Sequence, residues 1–427
     1  MNKLRILENF IRTRITSGIR SHKRLNKYQT KRLKRQLNFI KKNSVYFKNI
    51  DVENGLKALP VMNKKLMMEH FNELNTVGVD RDKALDLAIK SEKSRDFKEG
   101  IGDLSVGLSS GTSGSRGLFI TSPKEREMWT GSVLAKLLPR KRLFGNKIAF
   151  FLRADNSLYQ SVNSAMIELK YFDIMRDMNV NLNELNEYSP TIISAPPSVL
   201  LLLSKAKTEG KLDNVNPIKI ISVAEVLENT DKEYIKEAFS LEIIHQVYQC
   251  TEGFLGYTCE YGNFHLNEDI VYFEREYIGD GRFVPIVTDF MRTSQPIIRY
   301  RLNDVLVEKN GNCPCGSCLA MIERIEGRED DTFKFCAKDG KNTVTVFSDF
   351  IVRCVIYTEG VREYRVIQTS ANEVEVQLDT DNSDVREKIR SEFERLSEKM
   401  NFTMPTITFS EYINTLDKKL KRVERRF

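Results

Sequence analysis

Between residues 147 and 249, short apolar runs end one after another in a turn and then a helical pattern. KIAFFLR (147–153) has the length of a buried strand, and TIISAPPSVLLLLSKA (191–206) reads as strand, Pro-Pro turn and helix. IKIISVAEVL (218–227) is a further strand whose end meets Glu225, and LEIIHQVYQ (241–249) is another. Strands that end in turns and feed helices build α/β layers. The next stretch, RFVPIVTDFMRTSQPIIRYRLNDVLVEK (282–309), alternates like antiparallel strands, and a break follows at GREDD (327–331). The remainder holds a hairpin pattern, YRVIQTSANEVEVQLDT, a charged helix over 383–400 and a lysine-rich tail, which reads as a small α+β domain. The expected fold class is α/β: a basic helical arm (1–45), a large domain of layered mixed sheets and helices (46–329), and a small C-terminal α+β domain (330–427).

The net charge of +7 conceals an asymmetry, because residues 1–50 carry 15 Lys and Arg against one acidic residue and the rest of the chain is about −7. Such an arm suits nucleic acid or an anionic membrane surface. It suits better a solvated pair of helices, near 3–18 and 24–42, with Leu4, Ile6, Leu7, Phe10 and Ile11 turned toward the body. Few aromatics are available to stack on bases, which disfavours nucleic acid. No run approaches the roughly 18 apolar residues of a membrane span, and MNKLRILENFIRTR lacks the unbroken apolar stretch of a signal peptide. The expectation is a cytoplasmic protein.

Three glycines and several hydroxyl residues crowd the stretch LSSGTSGSRGLF (108–119) after a short strand pattern, VGLSS. Glycines let the backbone turn tightly, and exposed N–H groups with hydroxyls can cradle phosphate oxygens. Read alone, a stretch of this kind is more often a flexible turn. It is neither the Walker loop nor G-x-G-x-x-G.

The seven cysteines cluster. Cys259-x₅-His265 followed by Cys313-Pro-Cys315-Gly-x-Cys318 offers soft ligands at metal spacing, and Cys259, His265, Cys313 and Cys315 make a tetrahedral set suited to structural zinc, with Cys318 as a spare. The alternative is ordinary thiols and a surface histidine.

Taken in order, SSGTSG, VYQCTEG (247–253), IIRYRLNDVL (297–306) and IEGREDD (325–331) resemble the phosphate loop, the Tyr-Gly-x-Thr-Glu motif, the Tyr-Arg-x-x-Asp motif and the Gly-Arg-x-Asp hinge of adenylate-forming enzymes. That superfamily comprises acyl- and aryl-CoA ligases, adenylation domains and luciferases. SAPPSVL, VAEVL and the cysteines resemble its phenylacetate-CoA ligase branch. More narrowly, the chain is similar to the short adenylate-forming proteins related to the synthetase that adenylates the deazaflavin coenzyme of methanogens. The resemblance implies ATP-dependent activation of a small carboxylic acid as an acyl-adenylate, with Mg²⁺, release of pyrophosphate, and transfer to CoA, a carrier-protein thiol or an amine. It also implies that the C-terminal domain is a mobile lid.

Residue by residue, the resemblance puts Ser110, Gly111, Thr112, Ser113 and Gly114 around the β- and γ-phosphates, and Ala224, Glu225 and Gln249 at the nucleotide. Tyr248 would stack near adenine, Thr251 would touch phosphate, Glu252 would hold magnesium, and Asp304 would accept the ribose hydroxyls. Arg328 would lie near ribose and phosphate, and Asp330 would be the hinge. Alone, Tyr248 could be core, Asp304 a turn residue and Glu252 a helix N-terminal carboxylate. The tail LDKKLKRVERRF resembles the branch's Gly-Lys-x-Lys-Arg-Val ending, which aligns Lys419 with the catalytic lysine and leaves Lys421 as the fallback. The chain departs from the pattern twice. Its loop continues Ser115-Arg116-Gly117, one residue shorter and without proline, so Arg116 would meet the γ-phosphate, and Tyr-Gly becomes Tyr248-Gln249. His245 and RADNSLYQSV (153–162) fall where the acyl pocket is expected. Two other readings stay open: a catalytically inactive nucleotide-binding relative, and a surface binder using the arm. The oligomeric state stays open too, a homodimer included.

Overall fold

A computed structural model describes residues 2–427 except 49, 51–53, 95, 98, 110–116, 153–162, 164–166, 357, 359, 360, 362 and 414–420. The chain forms two compact units, one of residues 1–227, 231–302 and 307–324, the other of 228–230, 303–306 and 325–427.

The larger unit opens with helices α1 (Lys3–Thr16) and α2 (His22–Asn43), followed by an antiparallel hairpin of β1 (Ser105–Leu108) and β2 (Leu118–Thr121). Helix α3 (Pro123–Leu137) starts sharply because Ser122 and Glu125 form a reciprocal cap and Pro123 supplies the helical φ at the first position. The central sheet then begins with β3 (Asn146–Leu152), β4 (Ile167–Asp173), β5 (Ile192–Ala195), β6 (Lys219–Ser222) and β7 (Ile244–Cys250), parallel throughout in the order β4-β3-β5-β6-β7. Helices α4 (Met178–Tyr188), α5 (Pro197–Thr208) and α6 (Asn229–Phe239) intervene in sequence between its later strands.

Neighbouring residues on one strand point to opposite faces, and the sequence fills both. Ala149, Ile193 and Ile220 enter a core with Leu200 and Leu203 of α5. Their neighbours Ile148, Ile192 and Ile221 enter a second core with Ala135 of α3 and Phe10 of α1. The sheet continues antiparallel through β8 (Gly253–Thr258) and β9 (Phe264–Leu266). Beyond these come β10 (Val271–Gly279), β11 (Arg282–Asp289), β12 (Tyr300–Arg301), β13 (Asp304–Lys309) and β14 (Met321–Arg328), with β9 paired to β14 and β10 to β11.

The expected orientation of α1 is corrected by its packing. Phe10 is buried, but Leu4, Leu7 and Ile11 are exposed, and the face turned to the body is carried instead by Asn9, Phe10 and Thr13. Hydrogen bonds do the docking: the Asn9 amide donates to the Met128 carbonyl and to Ser132, Thr13 meets Ser132, and the Thr16 hydroxyl donates to Asp269 at 2.8 Å. Periodicity located the helix, but apolar content did not identify its inward face.

The smaller unit contains the hairpin β15 (Phe333–Cys336) and β16 (Thr343–Val346), then α7 (Ser348–Ile356). It ends with a sheet ordered β19-β18-β17-β20, made of β17 (Tyr364–Ser370), β18 (Glu373–Leu378), β19 (Thr406–Glu411) and β20 (Val423–Arg425), with helix α8 (Ser383–Met400) between β18 and β19. Phe333, Phe335, Ile389, Phe393 and Phe402 fill its core. Among the described residues no helix is long and apolar enough to cross a membrane.

Candidate functional site

In a parallel sheet the carboxyl ends of the strands are where ligands collect. Strand β5 ends at Ala195 and passes through Pro196 into α5, and β6 ends at Ser222, opposite Gln246 of β7. Past that end the chain makes an unusual turn. Ala224 has φ 70°, and the Glu225 N–H donates to the Val223 carbonyl two residues back at 2.9 Å. A γ-turn with positive φ is rare and strained, and a side chain at its centre costs on the order of 1–2 kcal/mol. The Glu225 carboxylate holds the turn from the far side by accepting the Ser198 N–H at the start of α5.

Alongside it, β7 carries Tyr248 and Gln249. The pairing of β7 with β8 shifts between these two residues, Tyr248 standing opposite Gly256 and Gln249 opposite Phe254. Such a bulge re-aims side chains: Tyr248 is buried and Gln249 is exposed. The strand then reverses through a two-residue turn, Thr251-Glu252, between Cys250 and Gly253. The Thr251 hydroxyl donates to Glu252 at 2.9 Å, and the Tyr300 hydroxyl also hydrogen-bonds this carboxylate. Burial first, and then the Glu252 charge, push the Tyr300 phenol upward, so it stays a donor. Among the described residues no Lys or Arg pairs with Glu252.

Two residues that the sequence reading passed over hold this turn in place. The Arg292 guanidinium donates to the Thr251 carbonyl at 2.8 Å and to the Ile120 carbonyl at 3.2 Å. Gln295 accepts the Ile120 N–H at 3.0 Å and donates to the Leu118 carbonyl at 3.1 Å. Together they tie β2, which leaves the glycine-rich stretch, to the Thr251-Glu252 turn. The mouth of that stretch is closed by the Ser109 N–H on the Gly117 carbonyl at 2.7 Å and the Gly117 N–H on the Ser109 hydroxyl at 2.8 Å. Ser110, Gly111, Thr112, Ser113, Gly114 and Arg116 lie outside the described residues, as do Lys419 and the 153–162 segment. The only advance signal for Arg292 and Gln295 was a polar stretch, Arg292-Thr293-Ser294-Gln295, set between apolar residues.

In the smaller unit, Asp304, Arg328 and Asp330 gather. The Arg328 Nε lies 3.9 Å from an Asp304 carboxylate oxygen, the Asn303 amide donates to Asp330 at 2.8 Å, and the Glu329 N–H donates to the Asn303 carbonyl at 2.6 Å. The next residue, Asp331, takes a different partner: Lys421 Nζ stands 2.6 Å from its carboxylate. Burial raises Asp331 above the usual carboxylate range although Lys421 pulls it down.

The soft-ligand set assembles in the larger unit. The four ligand atoms of Cys259, His265, Cys313 and Cys315 lie within 4.8 Å of one another. Cys259 Sγ is 3.6 Å from Cys313 Sγ, too far for a disulfide, and Cys315 Sγ is 3.5 Å from His265 Nε2. Two thiolates at ordinary zinc distance in a tetrahedron stand about 3.8 Å apart, and a thiolate and an imidazole about 3.6 Å, so the spacing fits zinc. His265 Nδ1 lies 2.9 Å from the Leu319 carbonyl, which fixes Nδ1 as the protonated nitrogen and leaves Nε2 as a lone-pair donor. The Asn263 amide donates to Cys313 Sγ at 3.2 Å.

His245 is a core residue. Burial, then the charge of Lys219, hold its pKa down at about 3, and Nδ1 lies 3.1 Å from the Thr258 carbonyl, so the ring is neutral at pH 7.

No family profile matches the chain. Protein CapK of Staphylococcus aureus is 24% identical over 410 residues, which cover 91% of this chain and 85% of CapK. Among solved structures, 2-hydroxyisobutyryl-CoA ligase in the postadenylation state with R3-HIB-AMP superposes with a TM-score of 0.72 at 16% identity, covering 96% of this chain and 91% of that one. Fatty acyl-adenylate ligases from E. coli and L. pneumophila give a TM-score of 0.53 at 11% identity, covering 74% and 68%.

Proposed function

We propose that this chain, which has the fold of the adenylate-forming ligases, activates a small carboxylic acid with ATP and hands the acyl group to a nucleophile. The observation that carries the reading is the pair of turns at the carboxyl ends of adjacent parallel strands, Val223–Glu225 after β6 and Thr251-Glu252 after β7. Both fall on the matched motifs, and one leaves a carboxylate without a cationic partner among the described residues.

In the first step a carboxylate oxygen of the acid attacks the α-phosphorus of ATP. The bond from that phosphorus to the bridging oxygen breaks, pyrophosphate leaves with the electron pair, and an acyl-adenylate remains. Both reactants are anions, so the site must supply positive charge. Glu252 is suited to hold Mg²⁺, which would neutralise phosphate charge. Ser110, Thr112, Ser113 and Gly114, with Gly111 giving backbone freedom, would donate to the β- and γ-phosphates, and Arg116 would add a guanidinium. Ala224, Glu225, Tyr248 and Gln249 would frame the base, Thr251 would touch phosphate, and Asp304 with Arg328 would meet the ribose. Lys419 would grip carboxylate and α-phosphate; Lys421 is engaged by Asp331, which favours Lys419 for that task. In the second step a thiol of CoA or of a carrier protein, or an amine, attacks the acyl carbon and AMP departs. The lid would turn about Asp330 between steps. Cys259, His265, Cys313 and Cys315 would hold a structural zinc ion, with no position left for substrate. The phenylacetate-CoA ligase branch and a cytoplasmic setting complete the reading.

The test is ATP–pyrophosphate exchange across aryl, hydroxyaryl and fatty acids with the intact chain, Glu252→Gln, Asp304→Ala and Lys419→Ala. We expect exchange with one class of acid and its loss by at least about a hundredfold in each variant. Nucleotide binding without exchange for any acid would overturn the reading, and exchange unchanged in Lys419→Ala would reassign the lysine.

A further inference from the structure

Helix α1 has two faces that differ in an unexpected way. Its buried face, Asn9, Phe10 and Thr13, is largely polar and docked on α3 by hydrogen bonds. Its outward face is apolar: Leu4 is 72% exposed, Leu7 47%, Ile11 51% and Ile15 70%. At about 100° per residue these four fall within an arc of roughly 80°, opposite the buried side. Lys3 and Arg14 border the arc on one side, and Glu8, the helix's one acid, followed by Arg12 and Arg5, on the other; of these, Arg5 is ion-paired with Glu127 and Arg14 donates to the Leu138 carbonyl. A helix of this kind does not need the stripe to stay folded, since its packing lies elsewhere.

We infer that α1 seats this protein on an anionic lipid surface, with Leu4, Leu7, Ile11 and Ile15 entering the acyl boundary and the exposed Lys3 and Arg12, with the lysines of α2, meeting headgroup charge. An apolar stripe edged by Arg and Lys on a helix lying flat is the form interfacial helices take. Charge selects the occupant. Residues 1–50 carry 15 basic residues against one acid. On α2 the exposed Lys23, Lys27, Lys31 and Lys34 recur at helical spacing without a carboxylate partner among the described residues. A second copy would set like charge against like charge. A nucleic acid would attract the lysines but offers no apolar phase for four aliphatic side chains. Anionic lipid satisfies both, each basic residue near its surface adding to the attraction. The consequence is an enzyme body held at a membrane by its first helix, independent of the nucleotide chemistry proposed above.

The experiment is co-sedimentation of the full chain with large unilamellar vesicles of phosphatidylcholine alone or mixed with phosphatidylglycerol, at low and high salt. Binding to the phosphatidylglycerol vesicles should exceed binding to phosphatidylcholine by at least about tenfold and weaken with salt. The fourfold variant Leu4→Ser, Leu7→Ser, Ile11→Ser, Ile15→Ser should lose about tenfold or more of it, with a thermal midpoint lowered by no more than a few degrees, because Leu4 and Ile15 are largely exposed and Leu7 and Ile11 about half exposed. As a measurement that does not depend on that variant folding, Leu7→Trp in the otherwise intact chain should shift its emission to the blue on adding phosphatidylglycerol vesicles. Equal sedimentation with both lipids, serine variants that bind like the parent, an unmoved Leu7→Trp emission, or a stripe-dependent dimer that ignores vesicles would each overturn the inference.

Discussion

Breaking the four-ligand cluster tests the structure where its geometry is most demanding. Cys259 and Cys313 stand 54 positions apart in sequence and 3.6 Å apart in space. A metal bridging them closes a loop of that length in the unfolded chain, and loop-closure entropy puts the stabilisation at about 4 kcal/mol. For a body of a few hundred residues, at about 2–4 °C per kcal/mol, the metal-free protein should melt about 8–16 °C lower. The perturbations are His265→Asn and Cys313→Ser, with Cys318→Ser as the internal control. Elemental analysis of the purified chain should find one zinc in the parent and in Cys318→Ser and none, or a fraction, in the other two. Calorimetry should place the ligand variants with the chelator-treated parent. His265 also anchors on the Leu319 carbonyl, so its loss frees the strand that leads into β14. The reasoning is refuted if the parent carries no metal and its midpoint ignores chelator, or if Cys318→Ser empties the site.

Three further expectations follow from buried groups. Lys136 and Asp269 form a 2.7 Å ion pair with both side chains fully buried; Asp269→Asn should cost about 3–5 kcal/mol in urea unfolding while Lys136→Met with Asp269→Leu recovers most of it, and equal costs for both would contradict this account. His245 is held neutral with its pKa near 3 against 6.5 unfolded; a base with a depressed folded pKa gives stability that is full above pH 6.5 and lost as pH falls toward 3, about 2–3 kcal/mol by pH 4.5, and His245→Gln should flatten that stretch of the unfolding profile. Arg292→Lys keeps the charge but not the fork that reaches Thr251 and Ile120; turnover in the exchange assay should fall about tenfold with little change in KM for ATP, and a fall in KM-dependent binding alone would make Arg292 merely structural.

What the sequence disclosed depended on how local the cause was. The strands β3, β5 and β7 and the helix α8 were legible because unbroken apolar runs and a capped charged helix each contain their own reason. The cluster of Cys259, His265, Cys313 and Cys315 was legible because two short spacings bring soft ligands together. Arg292 and Gln295 were not, since their partners lie on β2 and the β7–β8 turn, more than a hundred positions away for Ile120. The strained turn at Ala224 was hidden because alanine gives no warning of positive φ; only the hydrogen bond across it does. Leu4, Leu7 and Ile11 of α1 were misread as facing the body, while Phe10 was read correctly and Ile6 is partly buried, since periodicity reports that a helix is two-sided, not which side meets the protein. Lys421 was named as a fallback, and its ion pair with Asp331 came from the fold alone.

The γ-turn at Ala224 also bears on how fast a ligand could be captured. Its backbone is already bent, locked by the Glu225 N–H on the Val223 carbonyl and by the Glu225 carboxylate on the start of α5. That segment has lost its conformational entropy during folding, so no ordering of it has to accompany an encounter. A nucleotide arriving there would meet a surface of fixed shape, and association through this edge of the sheet would be limited by diffusion and by whatever else must close. Substitution at position 224 then acts on folding first: glycine relaxes the turn, a β-branched residue strains it further, and the tolerated residues at this position should be few and small.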